Sequence, residues 1–274
     1  MSGRFQTFVC ATPLLGVYYK FETNIPVSRR PAKGVRAAKE LRMSTIAINP
    51  VNRVVRFWEA PIGKKVVMAL TGVILFGYVV AHLLGNLQIY AGPDQINKYA
   101  AFLHNPANVG LLWGARLVLL FAVIMHIVAS IQLWQLKREA RPVSYVKKDD
   151  PAASYASRTM MWSGPIVAAF VIFHVLHLTV GAVVPLQEIG PNEPNVRANV
   201  ISGFSNPLIS GFYILAIALL CMHLYHGLWS MFQSLGFNHP RYTPKLKTGA
   251  AIFAWLIAIG NISIPVAVLA GIVR

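Results

Sequence analysis

Eight histidines occur in the 274 residues: His82, His104, His126, His174, His177, His223, His226 and His239. Six of them, all but His104 and His239, stand inside long apolar runs. An ionisable ring at membrane depth is costly and is usually functional. A single such ring is explained by a hydrogen bond to a neighbouring helix. Four consecutive runs that each carry at least one are harder to explain that way. Neutral imidazole fills an axial position of porphyrin iron well. Two histidines from facing helices saturate the iron, which suits electron transfer rather than oxygen binding. Four runs with one ligand each therefore point to two b-type haems. Two runs offer a choice, because His174 and His177, like His223 and His226, are three residues apart and share a helix face. Spacing leaves open which member ligates and which bonds a propionate, a quinone or a carbonyl.

The elements that must position these rings are five apolar stretches, roughly 63–90, 109–136, 159–184, 207–235 and 249–272, none containing Asp or Glu. Each exceeds the roughly 20 residues that span the hydrocarbon core as a helix. In lipid the backbone must satisfy its own hydrogen bonds, so the stretches read as helices. The expected fold class is all-α, an integral membrane five-helix bundle binding two haems. Composition agrees: 55% of residues are hydrophobic and 12% charged, where a soluble chain carries about a quarter charged residues.

The net charge of +16 does not point to nucleic acid, because the basic residues collect in short segments between the apolar runs. Arg53, Arg56, Lys64 and Lys65 precede the first run. Lys137, Arg138, Arg141, Lys147, Lys148 and Arg158 lie between the second and third, and Arg241, Lys245 and Lys247 between the fourth and fifth. The positive-inside rule places these segments at the cytoplasmic face of the inner membrane, with the N-terminus inside and the C-terminus outside. The segments 91–108 and 185–206 are poor in basic residues and read as outer loops.

Depth groups the rings. His82 lies about 26 Å beyond Lys65 and His174 about 24 Å beyond Arg158, whereas His126 is about 17 Å from Lys137 and His223 about 20 Å from Gly236. With the runs alternating in direction, His82 and His174 share an outer level, and His126 and His223 an inner one. Arg116 is the charge well inside the outer half of a run. Pairing with an outer haem propionate would relieve its burial, and snorkelling to the headgroups would serve equally. Gly72, Gly77, Gly85, Gly181 and Gly227 would let a flat macrocycle approach the backbone; for most of them, helix–helix contact is the simpler role.

Residues 1–52 are basic and irregular and contain no spanning run, so they read as a disordered or surface-bound extension preceding the domain 53–274. Translation from Met43 is an alternative start. Cys10 and Cys221 form neither a CxxC motif nor a disulfide framework, and Cys221 reads as a small buried hydrophobe. No internal repeat is evident.

The sequence resembles the five-helix, di-haem cytochrome b subunit of succinate:quinone oxidoreductases, a family that includes fumarate reductases. The likeness covers roughly 53–274. It is carried by Leu70-Thr71-Gly72 and Ala81-His82-Leu83 in the first run, Met125-His126-Ile127 in the second and Phe173-His174-Val175 in the third. In the fourth it is carried by Met222-His223-Leu224 with Gly227-Leu228-Trp229-Ser230. The resemblance implies that His82 and His174 ligate the outer haem iron and His126 and His223 the inner one. His177 and His226 would then stand beside the haems as supporting residues, as Arg116 would by its pairing with a propionate; the resemblance matches Arg116 to no family residue. It further implies docking of a flavoprotein and an iron–sulfur protein at the cytoplasmic face, and electron passage from succinate to a membrane quinone. This chain has no GxGxxG motif and no cysteine cluster, so flavin and iron–sulfur chemistry would reside on those partners. Two other readings stand beside it: the cytochrome b anchor of a hydrogenase or formate dehydrogenase, and a transporter with a histidine proton relay.

Overall fold

The computed structural model describes residues 50–140, 155–190 and 193–274. The expectations for the leading extension, for Met43 and for Cys10, and the basic residues Arg141, Lys147 and Lys148, fall outside the described residues. The chain divides into two units, Met1–Arg53 and Val54–Arg274, and the long apolar helices all belong to the second.

Eight α-helices occur among the described residues: α1 (Pro50–Glu59), α2 (Pro61–Asn86), α3 (Gln95–His104), α4 (Val109–Glu139), α5 (Tyr155–Val175), α6 (Val196–Phe204), α7 (Pro207–Ser234) and α8 (Thr243–Leu269). Five of them, α2, α4, α5, α7 and α8, are long and apolar enough to cross a membrane, as a multi-pass membrane protein requires. A 3₁₀ turn, Leu87–Tyr90, extends α2, and a π turn, Leu176–Val180, extends α5 until Gly181 ends it at φ 75°. The third span therefore stops short of the expected residue 184. The fifth starts earlier than residue 249, because Pro244 is well suited to a first helical turn.

Short local devices set the spans. Pro61 opens α2 behind an extended Ala60. Lys64, which is buried, turns back to donate to the carbonyls of Trp58 (2.7 Å) and Glu59 (2.9 Å), capping the end of α1. Asn206 accepts from the backbone N–H groups of Leu208 and Ile209 and starts α7.

The two segments read as loops, 91–108 and 185–206, contain α3, α6 and a small antiparallel hairpin of β1 (Glu188–Gly190) and β2 (Glu193–Pro194). Their helices are short and their apolar content low, so no spanning-run pattern reveals them. They join in a cap over one end of the bundle. Arg197 holds it together by donating to the Ile89 carbonyl (3.2 Å) and the Arg274 carbonyl (2.8 Å), while Asn199 clamps both backbone groups of Gln187. Hydrogen bonds from a charged donor stabilise by about 1.5–3 kcal/mol. Arg197→Ala is therefore expected to lower the thermal midpoint of the detergent-solubilised protein; an unchanged midpoint would show the cap to be held otherwise.

The span packing is uneven. α2 packs on α4, α7 and α8, and α7 packs on α5 and α8, whereas neither α2 with α5 nor α4 with α7 is a closely packed pair. The buried core lies where α2, α7 and α8 meet, with Leu83, Ile217, Cys221, Ile257 and Ala258. Large apolar side chains such as Leu117, Phe121, Trp162, Trp255 and Ile259 face outward, which is the inside-out arrangement that lipid permits.

Candidate functional site

Histidine side chains bridge the two gaps in the packing. His82 of α2 faces His174 of α5 with ring centroids 5.7 Å apart and planes at 88°. His126 of α4 faces His223 of α7 with centroids 6.5 Å apart and planes at 59°. All four rings are half-buried.

Each ring's Nδ1 meets a hydroxyl. Thr71 Oγ1 lies 3.1 Å from His126 and Ser163 Oγ 3.4 Å from His223, while Tyr78 lies 3.5 Å from His82 and Tyr213 3.4 Å from His174. Thr71 donates its own proton to the Val67 carbonyl at 2.8 Å, and Ser163 donates to the Met160 carbonyl at 3.4 Å. Each therefore offers a lone pair to an imidazole N–H. The four Nε2 atoms make no hydrogen bond among the described residues.

The two pairs occupy different levels. Thr71 precedes His82 by eleven residues, and Ser163 precedes His174 by eleven. Eleven residues make three helical turns, so hydroxyl and histidine share a face about 16 Å apart along the axis. One helix face thus serves one pair with a hydroxyl and the other with a ring, and α2 and α5 do this alike. The His82–His174 pair is nearer the cap.

His177 stands apart from the ligand-like rings. It is fully enclosed, its Nδ1 meets the Tyr213 hydroxyl at 2.9 Å, and its Nε2 is buried with no partner. A Cβ on Gly203 would fall 2.7 Å from that Nε2, so no ligand fits there. His226 packs edge-on against Trp229 (5.4 Å), with its Nδ1 buried and unpartnered. Arg116 lies over the Trp113 ring at 4.9 Å. Tyr78 stacks on His82 at 5.3 Å. His104 ends α3 and donates to the Ala100 carbonyl at 2.9 Å, and His239 stacks on Tyr242.

The glycines separate by role. A Cβ on Gly72 would meet His126 at 3.7 Å, so this residue makes room for that ring. Gly77 and Gly227 border open space, whereas Gly85 is filled by Tyr99 and Gly181 by Leu186. Sequence reasoning missed the hydroxyl partners Thr71, Ser163, Tyr78 and Tyr213. The recurring eleven-residue step from hydroxyl to histidine in the first and third runs is a signal that could have found two of them.

No group of three or more His, Cys, Asp or Glu able to hold a bare metal ion occurs among the described residues; each histidine pair offers two nitrogen ligands. No protein-family model, no curated protein and no solved structure matches this chain.

Proposed function

We propose that this chain is a di-haem cytochrome b anchor of a succinate:quinone oxidoreductase. It would carry electrons between a flavoprotein and iron–sulfur pair and a membrane quinone. The observation that carries the reading is the pair of histidine bridges, set at two levels, each ring with its Nδ1 on a hydroxyl and its Nε2 free.

The donor set suits haem. With a metal–imidazole bond of about 2.0–2.1 Å and the ring centre a further ~1.2 Å behind the nitrogen, two imidazoles on one metal would stand at most about 6.5 Å apart. The His126–His223 separation of 6.5 Å reaches that figure, and the His82–His174 separation of 5.7 Å is shorter. Histidines that ligate through one nitrogen donate the other N–H to an acceptor, which fixes the tautomer and raises ligand basicity. Thr71, Ser163, Tyr78 and Tyr213 are placed to accept from His126, His223, His82 and His174 respectively.

Bound between such histidines, haem supplies one-electron redox chemistry. The chain's own part would be to supply the histidine ligands, fix the imidazole tautomers and surround the site with apolar side chains that keep water away. The basic segments at the end opposite the cap would lie in the cytoplasm. There they would meet anionic lipid and the partner proteins by charge complementarity.

A redox-titrated visible spectrum of the complex purified from membranes, with haem quantified per chain, tests the reading. Two b-type haems per chain, titrating as two components, are expected. A folded, partner-bound and active preparation without porphyrin would end it. Co-purification with a hydrogenase or formate dehydrogenase in place of the flavoprotein would keep the haems and change the complex.

A further inference from the structure

We infer that Tyr213 and His177 form a relay that positions His174 and sets the reduction potential of the haem it would share with His82; this rests on the di-haem reading above. Tyr213 is almost wholly buried and is enclosed by Phe170 and Phe173 of α5 and Phe204 of α6. A buried phenol requires hydrogen-bond partners. The Tyr213 hydroxyl meets two rings, His177 Nδ1 at 2.9 Å and His174 Nδ1 at 3.4 Å.

Proton bookkeeping gives the relay a direction. With His174 Nε2 on iron, its Nδ1–H donates to the Tyr213 oxygen. The Tyr213 O–H then donates to His177 Nδ1, which puts the remaining proton of neutral His177 on Nε2. That nitrogen is buried, unpartnered and pressed toward Gly203. An unpaired buried N–H is costly, and a phenylalanine would fill much of the same space without it. What the histidine supplies is the Nδ1 acceptor. Donation to His177 makes the phenol oxygen a stronger acceptor, and a better acceptor at Nδ1 makes His174 a more basic ligand. A more basic ligand favours ferric iron and lowers the potential. The i+3 spacing that made His177 a competing ligand in the sequence thus places it one hydroxyl away from the ligand.

The test is a redox titration of the purified complex carrying Tyr213→Phe, His177→Phe and both, with haem counted in each. Tyr213→Phe is expected to keep two haems and raise the potential of the His82–His174 component while leaving the other component in place. His177→Phe is expected to move the same component upward by less. The double variant should match Tyr213→Phe alone, because the outer link has no path once the hydroxyl is gone. Gly203→Ala, which presses the His177 ring from α6, should act as His177→Phe does and serves if that variant does not insert. Loss of the His82–His174 haem in Tyr213→Phe would overturn the relay as a device that sets a potential and leave Tyr213 a packing residue. An unmoved component, equal shifts in both components, or additive shifts in the double variant would overturn the relay with the di-haem reading intact. A wild-type complex without haem would remove both.

Discussion

His82→Ala and His174→Ala are each expected to remove one haem component and spare the other, while His126→Ala and His223→Ala remove the component the first two leave. The reason is geometric. His82 and His174 face each other across the gap between α2 and α5, and His126 and His223 across the gap between α4 and α7. On the proposed reading, alanine at one member would leave the haem with a single protein ligand, and a haem held by no covalent tether would then be lost. The two levels are about 16 Å apart along the helices, so removing one pair does not remove the walls of the other. Haem per chain and the reduced-minus-oxidised spectrum read the result. Loss of the same spectral component from His82→Ala and His126→Ala would show the pairing to be wrong. His177→Ala should keep both haems, because its Nε2 faces the backbone of Gly203; loss of one haem there would exchange the ligand assignment with His174.

The spans were legible in the sequence because lipid imposes one simple demand, a long apolar run without carboxylates. α2, α4 and α7 therefore begin and end within a few residues of the expected limits. The end of α5 was less legible. The run stays apolar to Val184, but the backbone leaves the α-helix at Leu176 and turns left-handed at Gly181, a change that hydropathy does not register. α3 and α6 were hidden for a related reason: short cap helices are specified by tertiary contacts such as Arg197 with the chain end rather than by periodicity. His82 faces His174 and His126 faces His223, the same grouping that counting residues from the basic segments suggests. The hydroxyls were not found, because serine, threonine and tyrosine are too common in spans to signal anything until a ring is placed against them.

Gly72 offers a sharper probe than the ligands because it touches a ring without ligating anything. It sits next to Thr71 on α2, opposite His126, and a Cβ there would stand 3.7 Å from His126 Cε1. That is ordinary contact, so Gly72→Ala should be accommodated and should retain both haems; it also replaces a poor helix former with a good one. A leucine is different. Its γ and δ carbons extend beyond the Cβ into the space the imidazole occupies, and overpacking of this kind displaces side chains at a cost of about 1–3 kcal/mol. His126 would yield first, because the Thr71 hydroxyl beside it is fixed to the Val67 carbonyl of its own helix, while a single 3.1 Å hydrogen bond ties the ring to α2. Gly72→Leu is therefore expected to lose the His126–His223 haem and keep the His82–His174 one, the spectral pattern of His126→Ala from a residue that binds no iron. Gly85→Leu, on the same helix, should not follow it: a Cβ there meets Tyr99 of the cap at 2.9 Å, so its damage would appear as a lower thermal midpoint. Retention of both haems in Gly72→Leu would mean that His126 stands clear of α2 when the site is loaded, and the Thr71 hydroxyl could then not be its hydrogen-bond acceptor.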